Sequence, residues 1–386
     1  MWCEKRVNLI PALDLTQQYQ MISDRLSQEV LDLLASGRYI GGYAVDSFEK
    51  KFAEYIGASE LVSCNSGTDA LFLALRALEI GPGDEVITTC FSFIATSEVI
   101  SAVGATPVFV DIDPDTFNLD ISQIEAAITA QTRAILPVHL FGRPVDMTAL
   151  MAVARSHNLA VIEDCAQATG ASWGDAKVGS MGDLGCFSFF PTKNLGACGD
   201  GGAIATNNPD LARVLRVLKN HGQPERYNSE LLGINSRLDA LQGVILSIKL
   251  EYLPRWNQQR KAIASRYSQE LEGIPGLIVP AESLGGETVW NQYTIRYVGN
   301  NSDSSGRDRL REQLQSLGVS TNVYYPIPLH LQGVHRDLGY GCGDFPMAEQ
   351  VSHQVLSLPM FPELSSEQQD RVIYAVKDCL KLRAIG

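Results

Sequence analysis

Between residues 60 and 220 the chain alternates short runs of β-branched and aromatic residues with longer stretches whose apolar positions recur three and four apart. The short runs read as buried strands over Leu61–Cys64, Glu85–Thr89, Thr106–Asp111, Ala134–Leu140, Leu159–Asp164, Gly185–Phe189 and Ala203–Thr206. The amphipathic stretches predict helices over Asp69–Ala77, Ile94–Val103, Ile121–Ala130, Met147–His157 and Pro209–Asn220. Strands alternating with helices of this length imply βαβ units, hence an α/β fold with a mostly parallel central sheet covered by helices on both faces. In such sheets ligands sit at the carboxyl ends of the strands.

Outside this core the pattern changes. Tyr19, Ile22, Leu26, Val30 and Leu33 recur at helical spacing and predict an N-terminal arm that packs on another part of the protein. A helical stretch over Leu238–Tyr252 leads to Pro254, and from there come a long polar helix, a Gly/Pro-rich segment and a strand near Val289–Val298. A polar loop at Asn300–Gly306 and helices near Arg307–Leu317 and Ser366–Leu382 follow. The expected division is an arm over 1–35, a large domain over 36–254 and a smaller C-terminal α+β domain over 255–386.

Composition narrows the class. The chain has 386 residues, 45% of them hydrophobic, so it can bury a large core in two or three domains. No apolar run approaches the ~18 residues of a membrane span, and the first residues lack a secretory hydrophobic core, so a cytoplasmic location is expected. The eight cysteines are scattered with no C-x-x-C pair, and the six histidines show no ligand spacing. Reduced thiols and no metal are expected. A formal net charge of −13, with no basic run, disfavours nucleic acid and anionic membrane as partners. It leaves room for a small anionic ligand held by helix N-termini.

Three chemical features fall at the ends of expected strands. In NSGTDAL a strand turns into a helix; Gly67 lets the backbone approach a ligand, and the free N–H groups near Thr68 and Asp69 suit a phosphate. In LAVIEDCAQATG, Asp164 follows a buried apolar run, where a carboxylate needs a cation or strong donor. In CFSFFPTKNLG, Pro191 ends a strand and Lys193 sits just beyond it, where burial would favour the neutral, nucleophilic amine. Each has a plain structural explanation: a capped helix, an N-cap or ion pair, a loop lysine. Taken together they are what pyridoxal phosphate uses: a phosphate anchor, an acid for the ring nitrogen and a Schiff-base amine. Neither a P-loop nor a good G-x-G-x-x-G follows an early strand, so a nucleoside triphosphate or dinucleotide has little support.

At these residues the sequence resembles the DegT/DnrJ/EryC1/StrS sugar aminotransferases, within the fold type I pyridoxal-phosphate enzymes. The matching segments run nearly end to end, among them YIGGYAVDSFEKKFAEYIG, NSGTDAL, FSFIAT, PVHLFGRPVDM, VIEDCAQATGA, FSFFPTKNLG, GINSRLDALQ and YYPIPLH. The resemblance implies that Lys193 is the Schiff-base lysine and proton carrier, Asp164 the partner of the pyridine nitrogen, and Gln167 a neighbour of the ring hydroxyl. It implies that Phe93 stacks on the ring, that Gly67, Thr68 and Ser188 hold the phosphate, and that Asn235 reaches the cofactor of a neighbouring subunit in a homodimer. His221 and His330 match positions on the substrate side. A histidine in place of Lys193 would indicate the dehydratase relatives; lysine favours transamination. The implied reaction moves an amino group from an amino acid, L-glutamate by family habit, to a nucleotide-linked keto sugar in amino-sugar or polysaccharide biosynthesis, with PVHLFGRPVDM leaning towards 3-keto sugars. The alternatives are other pyridoxal-phosphate chemistry, dehydration included, and a regulatory protein that keeps the fold but would show a damaged cofactor set.

Overall fold

The structure, a computed structural model, describes residues 9–299 and 304–381. Cys3, Leu382 and residues 300–303 of the expected polar loop lie outside them. Seven strands build the central sheet: β1 Glu60–Cys64, β2 Glu85–Thr89, β3 Thr106–Val110, β4 Thr132–Leu136, β5 Ala160–Asp164, β6 Leu184–Ser188 and β7 Gly202–Thr206. Their order across the sheet is β1-β7-β6-β5-β4-β2-β3. All pairings are parallel except those of β7, which runs against both β1 and β6. Six carboxyl ends therefore share one edge, and the amino end of β7 joins them there.

The strands are apolar on both faces because helices cover both. On one face Val62, Ala134, Leu136, Ile162 and Ile204 pack with residues of the helices Gly67–Ala77, Ala95–Ala102 and Pro209–Leu218. On the other, Leu61, Phe187, Ala203 and Ala205 meet the helix Tyr43–Ile56 and the front half of a long helix, Ala240–Leu271, while Ile87, Ile135 and Val161 meet Met147–Ser156. Alternate residues of one strand thus serve opposite layers, as the pleat demands. Four rings lock the β6 side of the second layer: Phe52 meets Phe187 and Phe189 edge-on at centroid distances of 5.1 and 5.4 Å, and Phe48 meets Phe189 at 5.3 Å. Edge-to-face pairs add about 0.5–1.5 kcal/mol each beyond their burial. They fix the strand whose extension carries Lys193.

Three expected elements differ. The helix predicted over Ile121–Ala130 is a 3₁₀ turn, Ile121–Gln123, and a single helical turn, Ile124–Ala127. The strand predicted to Leu140 ends at Leu136, and the chain enters a second 3₁₀ turn, Leu140–Gly142. The helix expected to end before Pro254 instead runs unbroken over 32 residues, Ala240–Leu271. Leu253 and Trp256 are fully buried while Pro254 faces solvent. Continuous packing on the buried side outweighs the cost of about 3 kcal/mol that a proline imposes on a helix interior. The expected boundary at 254/255 falls inside this helix, whose rear half joins a second core: Ile263, Ala264, Tyr267 and Leu271 pack with residues of the strands Tyr293–Tyr297 and Val355–Leu358 and the helices Ser305–Ser316 and Ser366–Lys381.

Candidate active site

At the shared strand edge opens a cleft of about 520 Å³, whose lining includes Gln292, Tyr324 and Tyr325 from late in the chain. Gly67, Thr68, Phe93, Asp164, Gln167, Ser188 and Lys193, drawn from four separate stretches of sequence, all line it. The register explains how. Cys64, Gly202 and Ser188 lie side by side in neighbouring strands, and Asp164 pairs with Cys186 one strand over. Each strand then delivers its next residues to the same rim.

The β1 end supplies an anion cradle. Ser66 caps the helix Gly67–Ala77, its Oγ accepting the N–H of Asp69 at 3.1 Å. The amides of Gly67 and Thr68 have no intrahelical acceptor and sit at the positive end of the helix dipole. A Cβ on Gly67 would come within 2.6 Å of the Ser188 Cβ, so only glycine lets these two walls meet.

Asp164 is 5% exposed. Its Oδ2 accepts the Thr96 hydroxyl at 3.0 Å and its Oδ1 accepts the Ala166 N–H at 3.1 Å. Burial pushes its pKa above the usual carboxylate range, against the pull of those two donors and of the Lys193 charge. Gln167 is fixed as well: its Oε1 accepts the Phe141 N–H at 2.7 Å and its Nε2 donates to the Tyr325 hydroxyl at 2.9 Å. Phe93, by contrast, leaves 56% of its surface open within the cleft, a free aromatic face beside Tyr325.

Lys193 is half-buried, with its amine in the cleft. Burial pulls its pKa down to about 8, although the Asp164 charge pulls the other way. Its placement depends on its neighbour. Asn194, 3% exposed, donates to Asn257 Oδ1 at 2.8 Å and to the Val289 carbonyl at 2.9 Å, and accepts from Asn291 Nδ2 at 2.7 Å. The Lys249 ammonium holds the Gly196 carbonyl at 2.7 Å, and the Ala197 N–H returns to the Phe189 carbonyl at 2.8 Å.

Three expected site residues lie elsewhere in the chain. Asn235 is exposed, next to Ser236, whose hydroxyl bonds Asn65 at 3.2 Å. His221 is exposed, with a left-handed backbone of φ 60°. His330 is 1% exposed and turned into protein, its Nε2 3.0 Å from Glu349 and its ring edge-on to Phe345. None of the three lines the cleft of its own chain. Sequence reasoning passed over Thr96, Asn194, Gln292, Tyr324 and Tyr325. All but Asn194 line the cleft. Ser92 and Thr96, four apart inside an apolar stretch, carried a detectable signal, and the two tyrosines open the YYPIPLH segment that carried the family likeness; Gln292 carried none.

The donor set fits pyridoxal phosphate. The cleft lining combines helix amides that lack an intrahelical acceptor, the Ser188 hydroxyl, a buried carboxylate with lone pairs left over and an amine of lowered basicity. Fold and site together define a pyridoxal-phosphate-dependent aminotransferase with the fold type I architecture. The chain belongs to the DegT/DnrJ/EryC1/StrS aminotransferase family, whose pattern it matches over residues 20–377. It is 47% identical to a "Pleiotropic regulatory protein" of Geobacillus stearothermophilus over 96% of this chain and 98% of that one. It is 45% identical, with the same coverage, to a UDP-N-acetyl-3-dehydro-alpha-D-glucosamine 3-aminotransferase of Acidithiobacillus ferrooxidans. The crystal structure of DesV from S. venezuelae superposes with a TM-score of 0.92 at 43% identity, covering 96% of this chain and 98% of that one. Solved members of this group hold pyridoxal phosphate or its pyridoxamine form. No described helix is long and apolar enough to cross a membrane.

Proposed function

We propose that this nucleotide-sugar aminotransferase carries an amino group from L-glutamate to C3 of a nucleotide-linked 3-keto sugar, acting in the cytoplasm as a homodimer with shared active sites. The observation that carries the reading is the Lys193 amine, held in the cleft with a pKa of about 8 beside a buried Asp164. The lean towards C3 is supported by relatives whose names specify a 3-amino or 3-oxo sugar, including those of Acidithiobacillus ferrooxidans and S. venezuelae. The homodimer is supported by Asn235, a family cofactor position that is exposed and lies off its own chain's cleft.

When bound, pyridoxal phosphate supplies a carbonyl that condenses with amines and a ring that withdraws electrons from the substrate carbon. The chain does the rest. The amides of Gly67 and Thr68, with Ser188, hold the phosphate end. Asp164, whose charged form the Thr96 hydroxyl and the Ala166 N–H favour against burial, would hold a proton on the ring nitrogen. Phe93 would offer its open face to the ring. Lys193, near neutrality in its affinity for protons, takes a proton from the substrate carbon at Nζ and returns it one position away, serving both half-reactions. Tyr324 and Tyr325 wall the small-domain side against water.

The test is spectroscopic. Purified protein should be yellow, bleach on adding L-glutamate, and regain colour with a 3-keto nucleotide sugar but not with its 4-keto isomer. Lys193→Ala should abolish turnover and change the visible band; an unchanged spectrum and rate would overturn the assignment. The regulatory name of the Geobacillus relative favours a second reading, a fold-retaining regulator. A colourless protein that cannot be reconstituted would support it.

A further inference from the structure

A line of hydroxyls runs from the bend before Phe93, through the first turn of the helix Ala95–Ala102, and ends on Asp164. Ser92, 4% exposed, lies 2.9 Å from Thr96, 1% exposed, and Thr96 lies 3.0 Å from Asp164 Oδ2. The direction of these bonds follows from chemistry. An ionised carboxylate only accepts, so the single proton of Thr96 goes to Asp164. Thr96 must then accept from Ser92. Reversing the line would require a protonated Asp164. The carboxylate therefore receives one donor on each oxygen, Thr96 on Oδ2 and the Ala166 N–H on Oδ1, and keeps its remaining lone pairs for the cleft.

We propose that Thr96, oriented by Ser92, is a positioning residue for transamination: it keeps Asp164 charged and aimed, and through Asp164 keeps the cofactor ring nitrogen protonated. This rests on the pyridoxal-phosphate reading of the cleft. Burial works against the charged form of Asp164, and among the described residues the Thr96 hydroxyl is one of two hydrogen-bond donors to its carboxylate that oppose it. A helix N-terminal hydroxyl could equally serve its own backbone, but Thr96 is committed to another strand sixty-eight residues away.

The experiment compares wild type with Thr96→Val, nearly isosteric but without the hydroxyl, and with Thr96→Ser, which restores it. Each holoenzyme is reconstituted with pyridoxal phosphate labelled with ¹⁵N in the ring. We expect the ring nitrogen resonance to report a protonated nitrogen in wild type and Thr96→Ser and to move towards the neutral position in Thr96→Val. At saturating cofactor, the rate constant of the L-glutamate half-reaction should fall about 10- to 100-fold in Thr96→Val, with the glutamate KM within about twofold, and return to within about threefold in Thr96→Ser. Ser92→Ala should lose less, about threefold. A ring nitrogen equally protonated in Thr96→Val and wild type, or a Thr96→Ser enzyme as slow as Thr96→Val, would overturn the proposal. Failure of wild type to bind the cofactor would instead strike the reading of the cleft.

Discussion

Glu163 and Asp164 are consecutive on β5, point to opposite faces and are both buried, yet their surroundings could hardly differ more. Glu163 is closed on every side. Oε2 faces His139 Nε2 at 3.0 Å and the Gly179 N–H at 2.8 Å; Oε1 accepts from Met181 at 2.9 Å and Gly182 at 2.7 Å. His139 Nδ1 accepts the Val145 N–H at 3.0 Å, which places the ring proton on Nε2, facing the carboxylate. These donors hold the Glu163 pKa below its ordinary value in spite of complete burial. Asp164 has two donors, and burial wins. A buried acid with its valence filled is part of the scaffold; one with lone pairs facing a cleft is waiting for a ligand.

The largest expected effect comes from neutralising the open acid. Asp164→Asn should fold normally, by circular dichroism and melting, while turnover falls on the order of a thousandfold. The same substitution next door should do the reverse. In Glu163→Gln, whichever way the amide points, its NH₂ faces two donors, so urea unfolding should show a loss of about 3–5 kcal/mol, with a normal cofactor spectrum in the folded fraction. Gly67→Ala tests the far end of the cofactor, since its Cβ would press on Ser188. It should cost about 1–3 kcal/mol of stability and weaken cofactor binding, measured by fluorescence titration.

The smallest effect is a shift in pH. The apoprotein's reaction with pyridoxal should rise as pH passes about 8, where Lys193 loses its proton, rather than near the ordinary lysine value of 10.5. Asp164→Asn should move that midpoint lower, because it removes the charge that favours the ammonium; a midpoint unmoved by this change would contradict the coupling. Between about 8 and 10.5 the folded chain binds fewer protons at Lys193 than the unfolded one, so this group adds stability as pH rises through that window.

The seven central strands were legible because strands buried on both faces are nearly continuous apolar runs. The reversed direction of β7 was not, since a run such as GAIAT has the same pattern in either sense. Tyr43–Ile56 carries Val45, Phe48, Phe52 and Ile56 at helical spacing, yet its segment entered only as a family likeness. The short Ile121–Gln123 turn defeated periodicity, which needs more than one turn to register. In the cleft, residues that carry charge or sit on glycine turns stood out: Gly67, Asp164, Lys193. Asn194 and Tyr325 act through partners remote in sequence, Asn257 and Gln167, and no local pattern announces such contacts.

The antiparallel course of β7 has a wider consequence. Because the chain leaves β6 at Ser188 and re-enters the sheet at Gly202 on the same rim, with the Phe189 N–H bonded to the Gly201 carbonyl at 2.7 Å, the stretch bearing Lys193 is a loop tied shut at its base. Its ends are set by the sheet, and two further ties inside it, the Ala197 N–H to the Phe189 carbonyl and the Lys249 ammonium to the Gly196 carbonyl, hold the part that follows Lys193. The reacting amine is thereby tethered at a constant reach from the rim, anchored from both directions of the chain.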